Sequence, residues 1–265
     1  MTNAGWMQLA QEALKVPSLI VEIYGDLARP GVRQVGKALD TILGLGNTIL
    51  WPITLANERA RIFLDKNLEK YRERLEQIPE EKIIQVAPEI GVPIAEKLAY
   101  IRDDRLSDLY VLLLTKASCV DTVSQAHPSF VNVINNLSPD EAQLLEHFVA
   151  DECLLFVMAK WVHKKTNVYS VAGDLLLAQK NLTSLSFPMN VPAYLSNLAG
   201  LGLLSVNYEI SLADGAAAYE LIESERKSQF PESHPTDPER ELRFERGVVT
   251  KTEFGRQFIA ACHQQ

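Results

Sequence analysis

The sequence predicts a mostly α fold: an N-terminal helical region with a long amphipathic helix, followed by a winged-helix-like unit with a small β wing. Three observations predict it. Residues 57–78 carry apolar side chains at helical spacing. The Ser-Pro-Asp-Glu run at 138–141 is typical of a capped helix start. The C-terminal third reads helix, helix, strand, long excursion, strand, helix. We expect two domains, residues 1–136 and 137–265.

The stretch from residue 35 to residue 78 organises the N-terminal region. Its apolar residues follow steps of four and three, a spacing typical of helices that pack along a seam. The steps define a candidate association seam, made of Val35, Leu39, Ile42, Ile49, Ile53, Leu64, Leu68, Tyr71 and Leu75. If these side chains are buried within one chain, the stretch is part of the core of the protein. If they contact a partner chain, the stretch is an oligomer interface.

Residues 41–57 carry no charge and offer a membrane alternative, with residues 35–57 inserting into a bilayer. Trp51 suits a membrane interface, and Arg59 and Arg61 suit anionic head groups. The uncharged stretch is shorter than the roughly 20 residues that a spanning helix needs, and Pro52 interrupts it. A core helix is therefore the favoured interpretation, ahead of a homo-oligomer seam and of membrane contact.

The elements between and after these landmarks are predicted from periodicity and from Pro or Gly breaks. Helices are expected at 93–100, 105–118, 128–136, 138–161, 190–199 and 214–230, with a final helix that starts at Thr250 or Thr252. Strands are expected at 203–210 and 241–250, and residues 168–180 fit either structure. These last elements make up the winged-helix-like unit.

A winged helix raises the alternative of a DNA-binding regulator. Such a helix needs Lys or Arg to neutralise phosphates, but residues 190–199 carry neither. Basic residues do cluster around the wing, namely Arg240, Arg243, Arg246, Lys251 and Arg256. Because glutamates at 239, 241, 245 and 253 interleave with them, we interpret this region as a solvated mixed-charge surface. Nucleic-acid binding is not favoured.

Composition bounds the class of protein. The hydrophobic share of 47% and the charged share of 23% are typical of a globular chain. The net charge of -8 disfavours binding to the phosphate backbone of nucleic acids. The three cysteines form no CxxC pair, which predicts free thiols in a reducing cytoplasm. The first residues show no basic segment followed by an apolar run, so we expect no signal peptide.

Three candidate reactive groupings are weak. His147 and Asp151 are one helical turn apart, and His163 could join them, but a metal site wants three or four well-placed ligands. Cys119 has His127 eight residues later, without a feature that fixes their geometry. The Gly-Leu-Gly at 44–46 lacks the Lys and preceding strand of a phosphate loop. We therefore predict no catalytic, cofactor-binding or metal-binding residues, and no cofactor.

Several ordered fragments resemble the Abi-alpha (abortive infection protein alpha) family of bacterial phage-resistance genes. Two of them are Leu-Ser-Pro-Asp-Glu-Ala at 137–142 and Thr-Glu-Phe-Gly-Arg-Gln-Phe at 252–258. The others are residues 24–39, 67–70 continuing into 78–79, 88–94, 127–130 and 198–203. The resemblance implies a bacterial cytoplasmic protein connected with abortive infection, and it supplies no catalytic residues.

Resemblance and seam together predict a phage-defence protein that is not an enzyme and acts through self-association or a partner protein. The membrane-perturbing effector and the DNA-binding regulator remain as alternatives.

Overall fold

The computed structural model describes residues 33–40 and 58–263 of the 265-residue chain. The chain falls into two compact units. The first ends at Leu137 and includes the C-terminal residues from Ala260, and the second runs from Ser138 to Ile259.

The described part of the first unit is built of helices, and two of the segments that join them contain a 3-10 turn, Glu80–Lys82 and Val123–Gln125. After helical residues 33–40, the helices are α1 (Glu58–Leu75), α2 (Pro88–Leu98), α3 (Asp104–Ala117) and α4 (Ser129–Asn135). The Asp103 carboxylate caps α3 by accepting the Leu106 N–H at 3.1 Å. The predicted helices at 57–78, 93–100, 105–118 and 128–136 thus all exist, with ends that differ by a few residues.

Helix α1 is the predicted long amphipathic helix. Its buried stripe follows the 3.6-residue period: Ala60, Leu64, Leu68, Tyr71 and Leu75. Two polar groups fix the helix against its neighbours: Asn67 donates its side-chain amide to the Leu98 carbonyl at 2.9 Å, and the Tyr71 hydroxyl bonds the Ser118 hydroxyl. The apolar stripe drives packing, and the buried polar bonds set its register.

The second unit contains a four-stranded antiparallel sheet in the order β2-β1-β4-β3. Its helices are α5 (Pro139–Ala150), α6 (Val191–Gly200), α7 (Ala216–Lys227) and α8 (Glu253–Cys262), the last turn of α8 belonging to the first unit. Its strands are β1 (Cys153–His163), β2 (Tyr169–Leu177), β3 (Leu204–Asn207) and β4 (Arg240–Lys251). The predicted capping box is confirmed, with Ser138 and Glu141 each bonding the other's backbone N–H.

The predicted fold class is wrong, because the protein is α+β with a substantial sheet and not mostly α with a small wing. The predicted helix at 138–161 ends at Ala150, and residues from Cys153 form β1. β1 lies between β2 and β4 and is largely buried on both faces, and its residues 153–159 form an unbroken apolar run. Periodicity does not separate such a strand from a buried helix. The ambiguous residues at 168–180 contain β2.

The two sheet faces have different cover. On one face, called here the α7 face, Val157 packs with Tyr219 and Ile222 of α7. The opposite face, called the α6 face, carries the alternate β1 residues Phe156, Met158 and Lys160, because side chains alternate along a strand. Helix α6 packs on this face against β2 and β3.

Two close approaches explain glycines near the sheet. A Cβ on Gly247 in β4 would lie 2.2 Å from the Phe156 ring and 2.7 Å from the Asn207 carbonyl. A Cβ on Gly255 in α8 would lie 2.0 Å from the Leu203 carbonyl oxygen. The Thr252 hydroxyl caps α8 by accepting the Gly255 N–H at 2.8 Å, which fits one of the two predicted starts of the final helix. The late fragments of the resemblance, 198–203 and 252–258, therefore meet through tight backbone packing.

Candidate functional site

A cleft of about 310 Å³ lies on the α6 face of the sheet. Its floor is formed by Met158, Leu175 and Val206, which come from three different strands. Helix α6 contributes Pro192, Leu195, Ser196 and Ala199, and the remaining residues are Val171, Gly173, Asp174 and Tyr208. A mainly apolar cleft with a few polar groups is the usual form of a small-ligand site.

The α6 wall is anchored by the first turn of α5. The buried Asp140 carboxylate accepts the backbone N–H groups of Ser186 and Phe187, both at 2.8 Å, and the Tyr194 hydroxyl at 2.9 Å. Next to it, Glu141 accepts the Asn197 side-chain amide at 2.7 Å. These carboxylates place α6 by fixing both the segment that leads into it and the helix itself.

The charge of Asp140 is stabilised by these donors. Burial alone raises the pKa of this carboxyl, but the N–H groups of Ser186 and Phe187 and the Tyr194 hydroxyl outweigh burial and hold it below its ordinary value. Asp140 therefore stays ionised at neutral pH. Its position at the start of α5 adds a favourable interaction with the helix dipole.

The mouth of the cleft is polar on one side. Asp174 is exposed, and it is the one Asp, Glu, Lys or Arg side chain among the described residues that line the cleft. Tyr208 packs edge-on against Phe156, with ring centroids 5.2 Å apart, and remains 45% exposed. The Ser196 hydroxyl adds a second neutral polar group. The arrangement offers a carboxylate, an aromatic ring and a hydroxyl at the edge of an apolar space.

A buried ammonium group lies beside the cleft on the same face. Lys160 is the next α6-face residue of β1 after Met158, and it pairs with Val171 of β2 in register. Its Nζ forms an ion pair with Glu245 and lies 4.0 Å from the centre of the Tyr169 ring. Glu245 and the ring compensate the charge of Lys160, so this group adds no net positive potential to the cleft.

The sequence did not predict this cleft. Its floor and mouth depend on β1 and β2, which sequence periodicity placed in a helix and in an ambiguous segment. The informative signal was the β-branched and aromatic content of residues 153–163 together with the alternation in 169–171. Read as a hairpin, these residues would have brought Met158 and Val171 to one face.

Six candidate seam residues are buried inside the chain, namely Val35, Leu39, Leu64, Leu68, Tyr71 and Leu75. In this conformation those side chains serve as scaffold for the first unit. Ile42, Ile49 and Ile53 lie outside the described residues, as do Trp51 and the glycines at 44 and 46. A seam between copies stays a prediction.

The weak reactive groupings are not strengthened by the geometry. Within residues 33–40 and 58–263, no set of three or more His, Cys, Asp or Glu side chains could hold a metal ion. The His127 ring accepts the Ser129 N–H at 3.1 Å, at the first residue of α4. Cys119 and Cys262 are buried, and burial raises the pKa of the Cys262 thiol.

The five basic residues around the predicted wing are all paired with carboxylates. The pairs are Arg240–Asp237 at 3.1 Å, Arg243–Glu241 at 2.6 Å, Arg246–Glu223 at 2.8 Å, Lys251–Glu152 at 2.9 Å and Arg256–Glu253 at 3.4 Å. Helix α6, the expected recognition helix, lies over the sheet and carries no basic residue. The region is thus a mixed-charge surface, although the Lys251 side chain is largely buried, at 8% exposure, and the expectation that nucleic acid does not bind there stays a prediction.

Among the described helices, none combines the length and the apolar character needed to cross a membrane. The uncharged residues 41–57 lie outside the described part of the chain.

Comparison with known proteins gives a family assignment. A family described as Abortive infection alpha matches residues 63–262, and none of the curated proteins matches the chain. Among solved structures, the chain is similar to an uncharacterized protein from the hydrocarbon-degrading marine bacterium Alcanivorax borkumensis SK2, at 19% identity and a TM-score of 0.35. That similarity covers 56% of this chain and 99% of the other, and it is too low to support an argument.

The family match confirms the resemblance drawn from ordered sequence fragments. The first of those sequence fragments, residues 24–39, precedes the region that the family matches, whereas the other fragments fall inside that region. Since the match spans well over half of the sequence, the chain belongs to the Abortive infection alpha family.

Proposed function

We propose that this protein acts in bacterial phage defence of the abortive-infection type, without an enzymatic reaction, by binding a second copy of itself or a partner protein. The family match over residues 63–262 is the observation that carries the defence role. The non-enzymatic mode is inferred from the structural use of the buried polar side chains, and the binding mode from the exposed apolar side chains at β2.

Three buried polar side chains serve to hold parts of the second unit together, which supports a protein without an enzymatic reaction. Arg226 donates two hydrogen bonds, at 3.1 and 2.8 Å, to the Leu177 carbonyl and so ties α7 to the end of β2. Asp140 anchors the segment before α6, and Lys160 is compensated by Glu245. Each group is engaged in holding elements together, which is the ordinary role of buried polar residues.

A binding role is supported by the apolar surface along β2. This strand is at the edge of the sheet, and Val168, Tyr169 and Val171 are each more than half exposed, at 59%, 56% and 58%. Edge strands with exposed apolar side chains are typical of surfaces that pair with another chain. A partner could therefore bind at β2, without exposure of the seam residues that are buried in α1.

Infection of matched cells with and without the gene tests the defence role. Lower plaque counts for at least one phage in a broad panel are expected from cells that carry the gene. Unchanged counts across the panel, with the protein present in the cells, would remove the proposal.

Sedimentation of the purified protein separates the two binding modes. Concentration-dependent association that weakens in Val168→Lys supports a second copy, because Lys directly before the edge strand β2 opposes pairing with another chain. A monomer at every concentration would assign the role to a different partner.

A further inference from the structure

We propose that the cleft on the α6 face is a binding site for a small organic ammonium ion, an apolar body that ends in one positively charged nitrogen. The inference is independent of the proposed defence role, because it is tested on the purified protein without phage or partner.

The apolar part of the ligand is inferred from the apolar side chains that form the floor and wall of the cleft. Met158, Leu175 and Val206 form the floor, and Leu195 and Ala199 face them from α6. A volume of about 310 Å³ is at the lower end of the range of small-molecule sites, roughly 300–1,000 Å³. This space suits one compact apolar group.

The positive charge of the ligand is inferred from the carboxylate at the mouth of the cleft. Asp174 has no ion-pair partner among residues 33–40 and 58–263, although the wing arginines around the same sheet are all paired. The cation nearest along β1, Lys160, is held by Glu245 and is not free for Asp174. The cleft therefore presents one uncompensated negative charge beside an apolar space.

The aromatic ring of Tyr208 strengthens the preference for a cation. Tyr208 lines the cleft and is partly exposed, and a cation within about 6 Å of an aromatic face is attracted by it. The overall net charge of -8 also favours cations over anions near the protein. A carboxylate ligand of the same shape would be repelled by Asp174.

Methyl-labelled methionine provides a direct reporter. Met158 lies in the floor of the cleft, whereas Met189 is 89% exposed and is not among the lining residues. NMR titrations use three matched probes: phenylpropylammonium, phenylpropanol and phenylpropanoate. We expect the ammonium to shift the Met158 signal at the lowest concentration and the carboxylate to bind most weakly, with little change at Met189.

Two variants locate the interaction. Asp174→Asn is expected to weaken binding of the ammonium by up to about fivefold, the scale of an exposed ion pair, and to leave the alcohol unchanged. Ala199→Leu fills space on the α6 wall and is expected to weaken all three probes. Unfolding curves confirm that both variants are folded.

Three results would overturn the inference: no shift of Met158 with any probe, equal binding of the ammonium and the carboxylate, or unchanged ammonium binding in Asp174→Asn. Ammonium binding that weakens with added salt in the wild type, but not in Asp174→Asn, supports it.

Discussion

Replacing Asp140 tests whether the α5 carboxylate anchors the cleft wall. Asp140→Ala removes the acceptor of three donors, the N–H groups of Ser186 and Phe187 and the Tyr194 hydroxyl. A hydrogen bond to a charged group contributes about 1.5–3 kcal/mol, but water replaces the acceptor where donors are exposed. Ser186 and Phe187 are exposed, so we expect a loss of about 3 kcal/mol in total, near 1 kcal/mol per bond.

The conservative change Asp140→Asn keeps one accepting oxygen and loses the charge. We expect it to lower the free energy of unfolding by about 1–2 kcal/mol at pH 7, as measured by urea unfolding followed by circular dichroism. Asp174→Asn is the matched control, because Asp174 is exposed and has no ion-pair partner in the described residues. Its effect should stay within about 0.5 kcal/mol.

The cost of Asp140→Asn is also expected to depend on pH. The pKa of Asp140 is lower in the folded protein than its ordinary value, because the donors that hold its carboxylate outweigh the effect of burial. A lowered pKa gives stability that is complete above the unfolded pKa, about 3.9, and is lost as the pH falls through the folded pKa. Wild type and variant should therefore converge in acid. Equal stability at pH 7, or a difference that persists unchanged in strong acid, would refute the anchor.

Three further substitutions probe the packing. Gly247→Ala should destabilise the protein by about 1–3 kcal/mol because its Cβ would collide with the Phe156 ring, whereas Gly200→Ala, whose Cβ meets nothing within 4 Å, should be neutral or stabilising in the same urea series. Tyr71→Phe removes the buried bond to Ser118 and should cost about 1 kcal/mol in thermal unfolding. Comparable curves for Gly247→Ala and Gly200→Ala, or an unchanged Tyr71→Phe, would contradict these contacts.

Most helices were predictable because the residues that specify each of them lie close together in the sequence. The apolar stripe of α1 and the Ser138–Glu141 capping box of α5 depend on residues within a few turns of each other. Both features appear in the structure where the sequence placed them.

The sheet was only half predictable. β3 and β4 alternate and were found, whereas β1 is largely buried on both faces because helices, α7 and α5 among them, pack against it. That burial is a property of the assembled sheet and not of residues 153–163 alone, so local pattern favoured a continued helix. The cleft was missed for the same reason, since its floor requires β1, β2 and β3 together.

Plaque counts from cells that carry the wild-type gene, Gly200→Ala or Gly247→Leu test the central claim of phage defence most directly. The account predicts fewer plaques with wild type and with Gly200→Ala, and loss of protection with Gly247→Leu, whose larger side chain meets the Phe156 ring and the Asn207 backbone. Equal plaque counts in all cells, including those without the gene, would contradict it.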